Sequence, residues 1–283
     1  MSDNPLVNAR HKAEAASTEA QGRNRQWWEA VPMTYQDWEE GDRDLATSDA
    51  FAQVEADFLF HNPWLRENFD FANFRNSRVL EIGCGAGAAS CLFAKGSALV
   101  SAIDLTDAAV EMTRRNAASR GLDVDVRQMD AEKLAFPDDS FDYVFSWGVI
   151  HHSHSTENAI DGIRRVLRPG GRGLIMVYNR SSLRYWLKGM IWLFAKGKLL
   201  KGDGFDSVQR YFTDGYYHRH FSPSEFRRVL SSAGLTVERM SVSHMAKRMI
   251  PLIPKRIDDF LKRHWGWLLI AEFALEPAAA SRK

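Results

Sequence analysis

From Arg78 onward the chain alternates short apolar runs with stretches of helical spacing. Val79–Ile82 is a brief apolar run ending at Gly83, the pattern of a buried strand. Ala86–Lys95 has helical periodicity and is closed by Gly96. Leu99–Leu105 is the next strand; Thr106 can cap the helix after it, with Asp107 in its first turn and Gly121 at its end. Val124–Met129 and Phe141–Ser146 are further strands, the second preceded by a Pro137-Asp138-Asp139 turn. Thr156–Leu167 is a helix stopped by Pro169-Gly170-Gly171, and Gly173–Tyr178 is the fifth strand. Strands alternating with helices of this length predict βαβ units: a parallel sheet with helices on both faces.

The rhythm breaks after strand five. Leu183, Trp186, Leu187, Met190, Ile191 and Phe194 follow helical spacing and predict one helix over 183–200. Residues 203–221 are an aromatic, His-rich loop. The sheet pattern then resumes, with a helix capped by Ser222 and Glu225 and ended by Gly234, a strand at Leu235–Val242 and a last strand at Trp267–Leu275. Residues 1–24 are polar and Ala-rich and are expected to be flexible. Aromatic residues scattered among acids predict a helical cap over 25–74. The domain proper is placed at 75–283, with an insertion at 181–221.

Composition narrows the classes. The 283 residues carry 37 basic and 36 acidic side chains, so no global field draws in nucleic acid. That balance hides local polarity: nine acids and one base lie between Glu29 and Asp57, and six bases and no acid between Arg180 and Lys201. The two cysteines, Cys84 and Cys91, make neither a disulfide framework nor a zinc site, which fits a reducing, cytoplasmic setting. Most of the nine tryptophans fall in the cap, the insertion and the last strand. These flanks are where acceptor identity is expected to reside.

The chemistry begins at Val79-Leu80-Glu81-Ile82-Gly83-Cys84-Gly85-Ala86-Gly87, a strand entering a tight glycine turn and then a helix. Glycine there permits positive φ and close approach of a ligand. Asp104 ends strand two, 21 residues after Gly83, where a carboxylate can take both hydroxyls of a ribose. An adenosine-containing ligand at the C-terminal edge of the sheet follows. Gly83-x-Gly85-x-x-Ala88 also fits a dinucleotide fingerprint, so a nicotinamide-dependent oxidoreductase stays open. Glu81 argues for a cationic ligand, because it would repel a pyrophosphate. Asp130-Ala131 ends strand three, where an acid can accept from an adenine amino group.

Together with Pro137-Asp138-Asp139-Ser140-Phe141-Asp142-Tyr143-Val144 and Leu167-Arg168-Pro169-Gly170-Gly171, these motifs resemble the class I S-adenosylmethionine-dependent methyltransferases of the type 11, ubiquinone-methyltransferase-like kind. The resemblance covers 75–180 and, more weakly, 222–276. It implies a Rossmann-like seven-stranded, mostly parallel sheet with a reversed last strand, and S-adenosylmethionine at the strand ends. By motif position it implies Glu81, Gly83, Cys84, Gly85 and Gly87 along methionine and ribose. Asp104 then holds the ribose, Leu105 lies against adenine, and Asp130 and Ala131 hold adenine. Ser146 and Trp147 offer backbone carbonyls to the methionine ammonium.

Methyl transfer from a sulfonium is an in-line displacement, and alignment can supply up to about 7–11 kcal/mol of the barrier. A base is needed only for a protonated acceptor. The candidates follow strand four: His151 first, then His152, each also able simply to support the next helix. His151 and His154 have metal-compatible spacing but no further ligand, so no metal is expected. Tyr178, Tyr217, His218 and His220 are candidates for the acceptor wall. Tyr35, beside the cofactor, and Trp38, beside the acceptor, are candidates from the cap, where an aromatic face near a sulfonium contributes about 0.5–2 kcal/mol. The expected function is methylation of an O, N or C atom of a small molecule. The basic, apolar helix at 183–200 leaves a second possibility, a membrane-surface enzyme acting on a quinone or lipid-linked acceptor. The same helix can instead dock as a lid on the acidic cap. A protein that binds the cofactor without catalysis is a third reading.

Overall fold

The computed structural model describes residues 19–30, 47–245 and 253–277. Its centre is a sheet ordered β3-β2-β1-β4-β5-β8-β7. The strands are β1 (Arg78–Ile82), β2 (Leu99–Asp104), β3 (Val124–Gln128), β4 (Phe141–Trp147), β5 (Leu167–Asn179), β7 (Leu235–Ser243) and β8 (Leu268–Leu275). The first five are parallel, and β8 runs antiparallel to both β5 and β7. A two-residue strand, β6 (His220–Phe221), pairs with β5 and makes eight where the resemblance implied seven. It forms because the insertion returns along the end of β5, with Tyr178 opposite His220.

Alternation along the strands divides the core in two. Leu80 and Ile82 of β1 and Val144 of β4 join Ile160, Ile163 and Val166 of α6 (Thr156–Val166) and Phe226 of α8 (Pro223–Ser232) on one face. Val79 and Phe145 point the other way. They pack with Phe51 and Phe58 of α2 (Ser48–His61), Leu65 of α3 (Pro63–Asn68) and Phe93 of α4 (Ala88–Lys95). The N-terminal helices therefore complete one core layer. Thr106 caps α5 (Asp107–Ser119), and Ser222 caps α8, each through its hydroxyl.

Four local departures have physical causes. α4 starts at Ala88 because Gly87 takes φ of 79° as its N-cap. β5 starts at Leu167, ahead of the Pro-Gly-Gly turn, because Leu167 pairs with Phe141 and the extra residues form a bulge before Arg172. The single helix expected over 183–200 is α7 (Leu183–Met190), then a wider π turn (Ile191–Ala195) that ends at Gly197 with φ of 65°, then a short 3₁₀ turn (Leu199–Lys201). Residues 19–30 are helical (α1), and Gln21 and Asn24 are buried and bonded to the domain. A further helix, α9 (Lys255–Trp265), precedes β8.

Strand order reverses between β1 and β4, which opens a crevice at their C-terminal ends. Close approach of β4, β5 and β8 beside it depends on Gly173, where an added Cβ would lie 2.4 Å from the Phe273 ring and 2.8 Å from the Val144 carbonyl. Gly173→Ala is expected to lower stability by about 1–3 kcal/mol through overpacking, measured by urea unfolding. An unchanged midpoint would mean the sheet yields there at no cost.

Candidate active site

The glycine turn is held by β2. The N–H groups of Gly83 and Cys84 both donate to the Ile103 carbonyl, at 2.7 and 3.0 Å. The Gly85 N–H donates to Asp104 Oδ2 at 3.1 Å. Gly83 has φ of 80°, and a Cβ there would meet Val149 at 2.1 Å, so turn and β4 loop are in close contact. Asp104 Oδ1 accepts from the backbone N–H and hydroxyl of Thr106. Three of about four acceptor positions on the carboxylate are thus used. One ribose hydroxyl fits directly, and a second fits once the Thr106 hydroxyl turns away. Burial raises the Asp104 pKa, against the lowering effect of the Thr106 and Gly85 donors.

Glu81 lies one layer below and is 4% exposed. Burial pushes it up to about 8; nearby Asp104 adds to that, while the Ser90 hydroxyl, which donates to its carboxylate, opposes it. The Cys84 thiol is buried beside these two acids and is pushed well above its ordinary range, so no thiolate nucleophile forms.

One cavity of about 670 Å³ extends from this turn beneath α1 to the insertion, a size in the roughly 300–1000 Å³ range of small-molecule sites. Gly83, Gly85, Asp104, Leu105, Asp130 and Ala131 line its first end. The α1 helix crosses above. Gln21 Nε2 donates to Asp130 Oδ1 at 3.0 Å, Asn24 Nδ2 donates to the His152 carbonyl at 2.9 Å, and Trp28 meets the His152 ring edge-on at 5.0 Å. Further along, Glu29 accepts from the N–H groups of Asp107 and Ala108, capping α5 from outside. The second Asp130 oxygen carries no hydrogen bond among the described residues, which leaves it for an amino donor such as that of adenine.

The other end is lined by Trp147, Tyr178, Arg184, Lys188, Asp214 and Trp267, among others. Trp147 is fixed by its indole N–H, which donates to Asn62 at the α2–α3 junction at 3.0 Å. His152 lies between the two ends. Its Nδ1 is 2.8 Å from the Tyr217 carbonyl, which can only accept, so Nδ1 carries the proton and Nε2 has a bare lone pair. That Nε2 is buried without a partner. Burial pulls the His152 pKa down to about 4, so the ring is neutral near pH 7. Gly215, with φ of 87°, makes the contact possible: a Cβ there would sit 2.5 Å from His152 Nδ1.

The structure brings nine of the nineteen residues singled out from sequence to the cavity and sets others apart. Leu105, Asp130, Ala131, Trp147, His152 and Tyr178 face the cavity with the turn glycines and Asp104. His151 does not: it is fully buried against Tyr178, ring centroids 4.0 Å apart, and His152 takes the place on the wall. Glu81, Cys84, Gly87 and Ser146 support the turn and strand end from behind. Tyr217, His218 and His220 form a layer behind His152 and Tyr178, with Tyr217 acting through its backbone carbonyl. Tyr35 and Trp38 lie outside the described residues. Gln21, Asn24 and Trp28 were missed as a set, although their spacing of three and four places them on one helical face. Of the acids in the cap, Glu29 is used on α5, and Glu55 pairs with Lys95 and Arg120 rather than with the basic insertion.

A reversed strand order, a glycine turn tied to an acid at the end of β2 and one cavity over both define an α/β fold for an adenosine-containing cofactor. A family model described as a methyltransferase domain matches residues 80–175. The ubiquinone/menaquinone biosynthesis C-methyltransferase UbiE of Pseudomonas putida (strain GB-1) is 30% identical over 245 residues, covering 78% of this chain and 93% of that protein. The S-adenosyl-L-methionine-dependent Diels-Alderase iccD of Talaromyces variabilis is 40% identical over 111 residues, a match spanning only 38% of each. Among solved structures, the [4+2]-cyclase SpnF has a TM-score of 0.56 at 16% identity, over 93% of this chain and 96% of that one, which is a likeness of fold. The chain belongs to the class I S-adenosylmethionine-dependent methyltransferases, and S-adenosylmethionine is the cofactor of that family.

Folding raises the Glu81 pKa from 4.5 to about 8, so the folded state holds its proton more tightly than the unfolded chain. Stability of the ligand-free protein from this group is therefore greatest at low pH and falls as pH rises through that window. Glu81→Gln carries no charge to desolvate. It should be the more stable protein at about pH 9 by on the order of a few kcal/mol, with a smaller difference at about pH 5. Urea unfolding at both values reads the effect, and a difference that does not widen with pH overturns it.

Proposed function

We propose that this protein transfers the methyl group of S-adenosylmethionine to a small-molecule acceptor held between the turn and the insertion. The observation that carries the reading is the continuity of one cavity from Gly83, Asp104 and Asp130 to Tyr178 and Trp267, with His152 between. The donor set fits the cofactor: Asp104 for ribose and Asp130 Oδ2 for adenine, with Glu81 behind the turn able to lose its proton when a cation binds. Bound there, S-adenosylmethionine supplies an electrophilic methyl on a positively charged sulfur. The chain's own work is to orient, to exclude water and to receive a proton. α1 closes the cofactor end, Trp147 and Trp267 provide flat apolar walls, and His152 Nε2 takes the proton of a hydroxyl or ammonium acceptor. The resemblance to an S-adenosyl-L-methionine-dependent Diels-Alderase favours a second reading, in which the same cavity shapes a cyclisation and the cofactor stays intact. Transfer of radiolabel from S-adenosyl-[methyl-³H]methionine to any acceptor supports the first reading; ring closure without transfer supports the second.

The lipid-acceptor alternative is supported by the exposed side chains of Trp186, Leu187, Met190, Ile191, Phe194 and Leu200 on the basic insertion. Among the described residues no helix is long and apolar enough to cross a membrane, so such contact would be peripheral. Absence of co-sedimentation with anionic vesicles at low salt removes this alternative.

Asp104→Ala should weaken S-adenosylhomocysteine binding at least about tenfold, measured by calorimetry. His152→Gln should leave that affinity intact and lower turnover on a protonated acceptor by about 10²–10⁴. With His152 at about 4, the wild-type rate should be level near pH 7 and fall only as pH approaches that value. His151→Ala should lower the unfolding midpoint and spare turnover. Full turnover in His152→Gln removes that side chain from proton transfer.

A further inference from the structure

We infer that Arg184 and Lys188 form an anion subsite at the far end of the cavity, and that the acceptor is a flat molecule bearing a carboxylate. This rests on the methyltransferase reading for the word acceptor, but not for the subsite itself.

Basic charge in the cavity is confined to one helix. The carboxylates Asp104 and Asp130 line the cofactor end, and the lysines and arginines among the described lining residues are Arg184 and Lys188 alone. These two stand four residues apart on α7, so they share one helical face and repel each other. Neither has a carboxylate within 4.0 Å among the described residues. Asp214 also lines this end and attracts both at longer range, so two cations face one acid.

The guanidinium is pre-positioned. It lies over the Trp267 ring at 4.9 Å, and one Nη donates to the Phe212 carbonyl at 3.1 Å. Its Nε is buried and has no partner. Nε–H, enclosed and unbonded, and the remaining Nη–H donors make a fork of the shape that fits a carboxylate. Burial pulls both cations below their ordinary pKa values, a cost that an incoming anion relieves. The walls beside the fork are rings: Tyr178 and Trp267 have centroids 4.7 Å apart. A planar body against those rings with its carboxylate on Arg184 satisfies both features. The methionine carboxylate of the cofactor is the other possible source of that charge, and the test separates the two.

Protein saturated with S-adenosylhomocysteine is titrated calorimetrically with 4-hydroxybenzoate and 4-hydroxycinnamate, and with the methyl ester of each. The acids should bind at least about tenfold more tightly than their esters. Arg184→Gln and Lys188→Gln should each shrink that ratio without changing S-adenosylhomocysteine affinity. Asp214→Asn, which removes the opposing charge, should enlarge it and guards against variants that merely fail to fold. Equal affinity of acid and ester, or no binding by either, overturns the proposal. So does a parallel loss of S-adenosylhomocysteine affinity in Arg184→Gln, which would assign the fork to the cofactor. Acid preference retained in a protein that does not bind S-adenosylhomocysteine supports the subsite and removes the methyltransferase reading instead.

Discussion

The hydrogen bond from the Gly85 N–H to the Asp104 carboxylate joins the two strands on which the site is built. β1 ends in a turn whose glycines take positive φ, a conformation with few partners of its own. The end of β2 supplies them: the Ile103 carbonyl accepts from Gly83 and Cys84, and Asp104 accepts from Gly85. The same carboxylate caps the start of the next segment through Thr106. A group that holds both a turn and a loop cannot be optimised for one alone. Burial of Glu81 close by concentrates a second acid behind the turn. That acid keeps its proton near pH 7 in the ligand-free protein, and carrying its charge there costs stability.

From that point the cavity acquires a direction. Asp104 and Asp130 stand at the sheet edge, the neutral His152 at the middle, and two cations on α7 against the single carboxylate of Asp214. The neutrality of His152 belongs to this design. It follows from a dry environment, and the Tyr217 carbonyl selects which nitrogen is bare. Gly215 is the reason the loop can come so close.

The order of strands and helices was legible because period-two and period-3.6 patterns follow directly from which side chains meet the core. The glycine turn, Asp104 and Asp130 were legible because their spacing is fixed by strand length. What sequence hid was adjacency across elements. Gln21 and Asn24 are polar and read as solvated, since nothing local says that Asp130 and the His152 carbonyl await them. His151 and His152 are neighbours of the same type, and only the packing of Tyr178 decides which is enclosed. Arg184 and Lys188 read as the basic flank of an amphipathic helix. The break of that helix into a π turn, and the loop that returns beneath it, turn the flank into a wall.

The α1 helix is bonded to three separate elements beside the cavity. Its third described residue is bonded to Asp130, its sixth to the backbone of His152, and its eleventh to the start of α5. Moved as a rigid body, it cannot release one of these without straining the others. Uncovering the Asp130 carboxylate and releasing the His152 backbone are therefore one event rather than two.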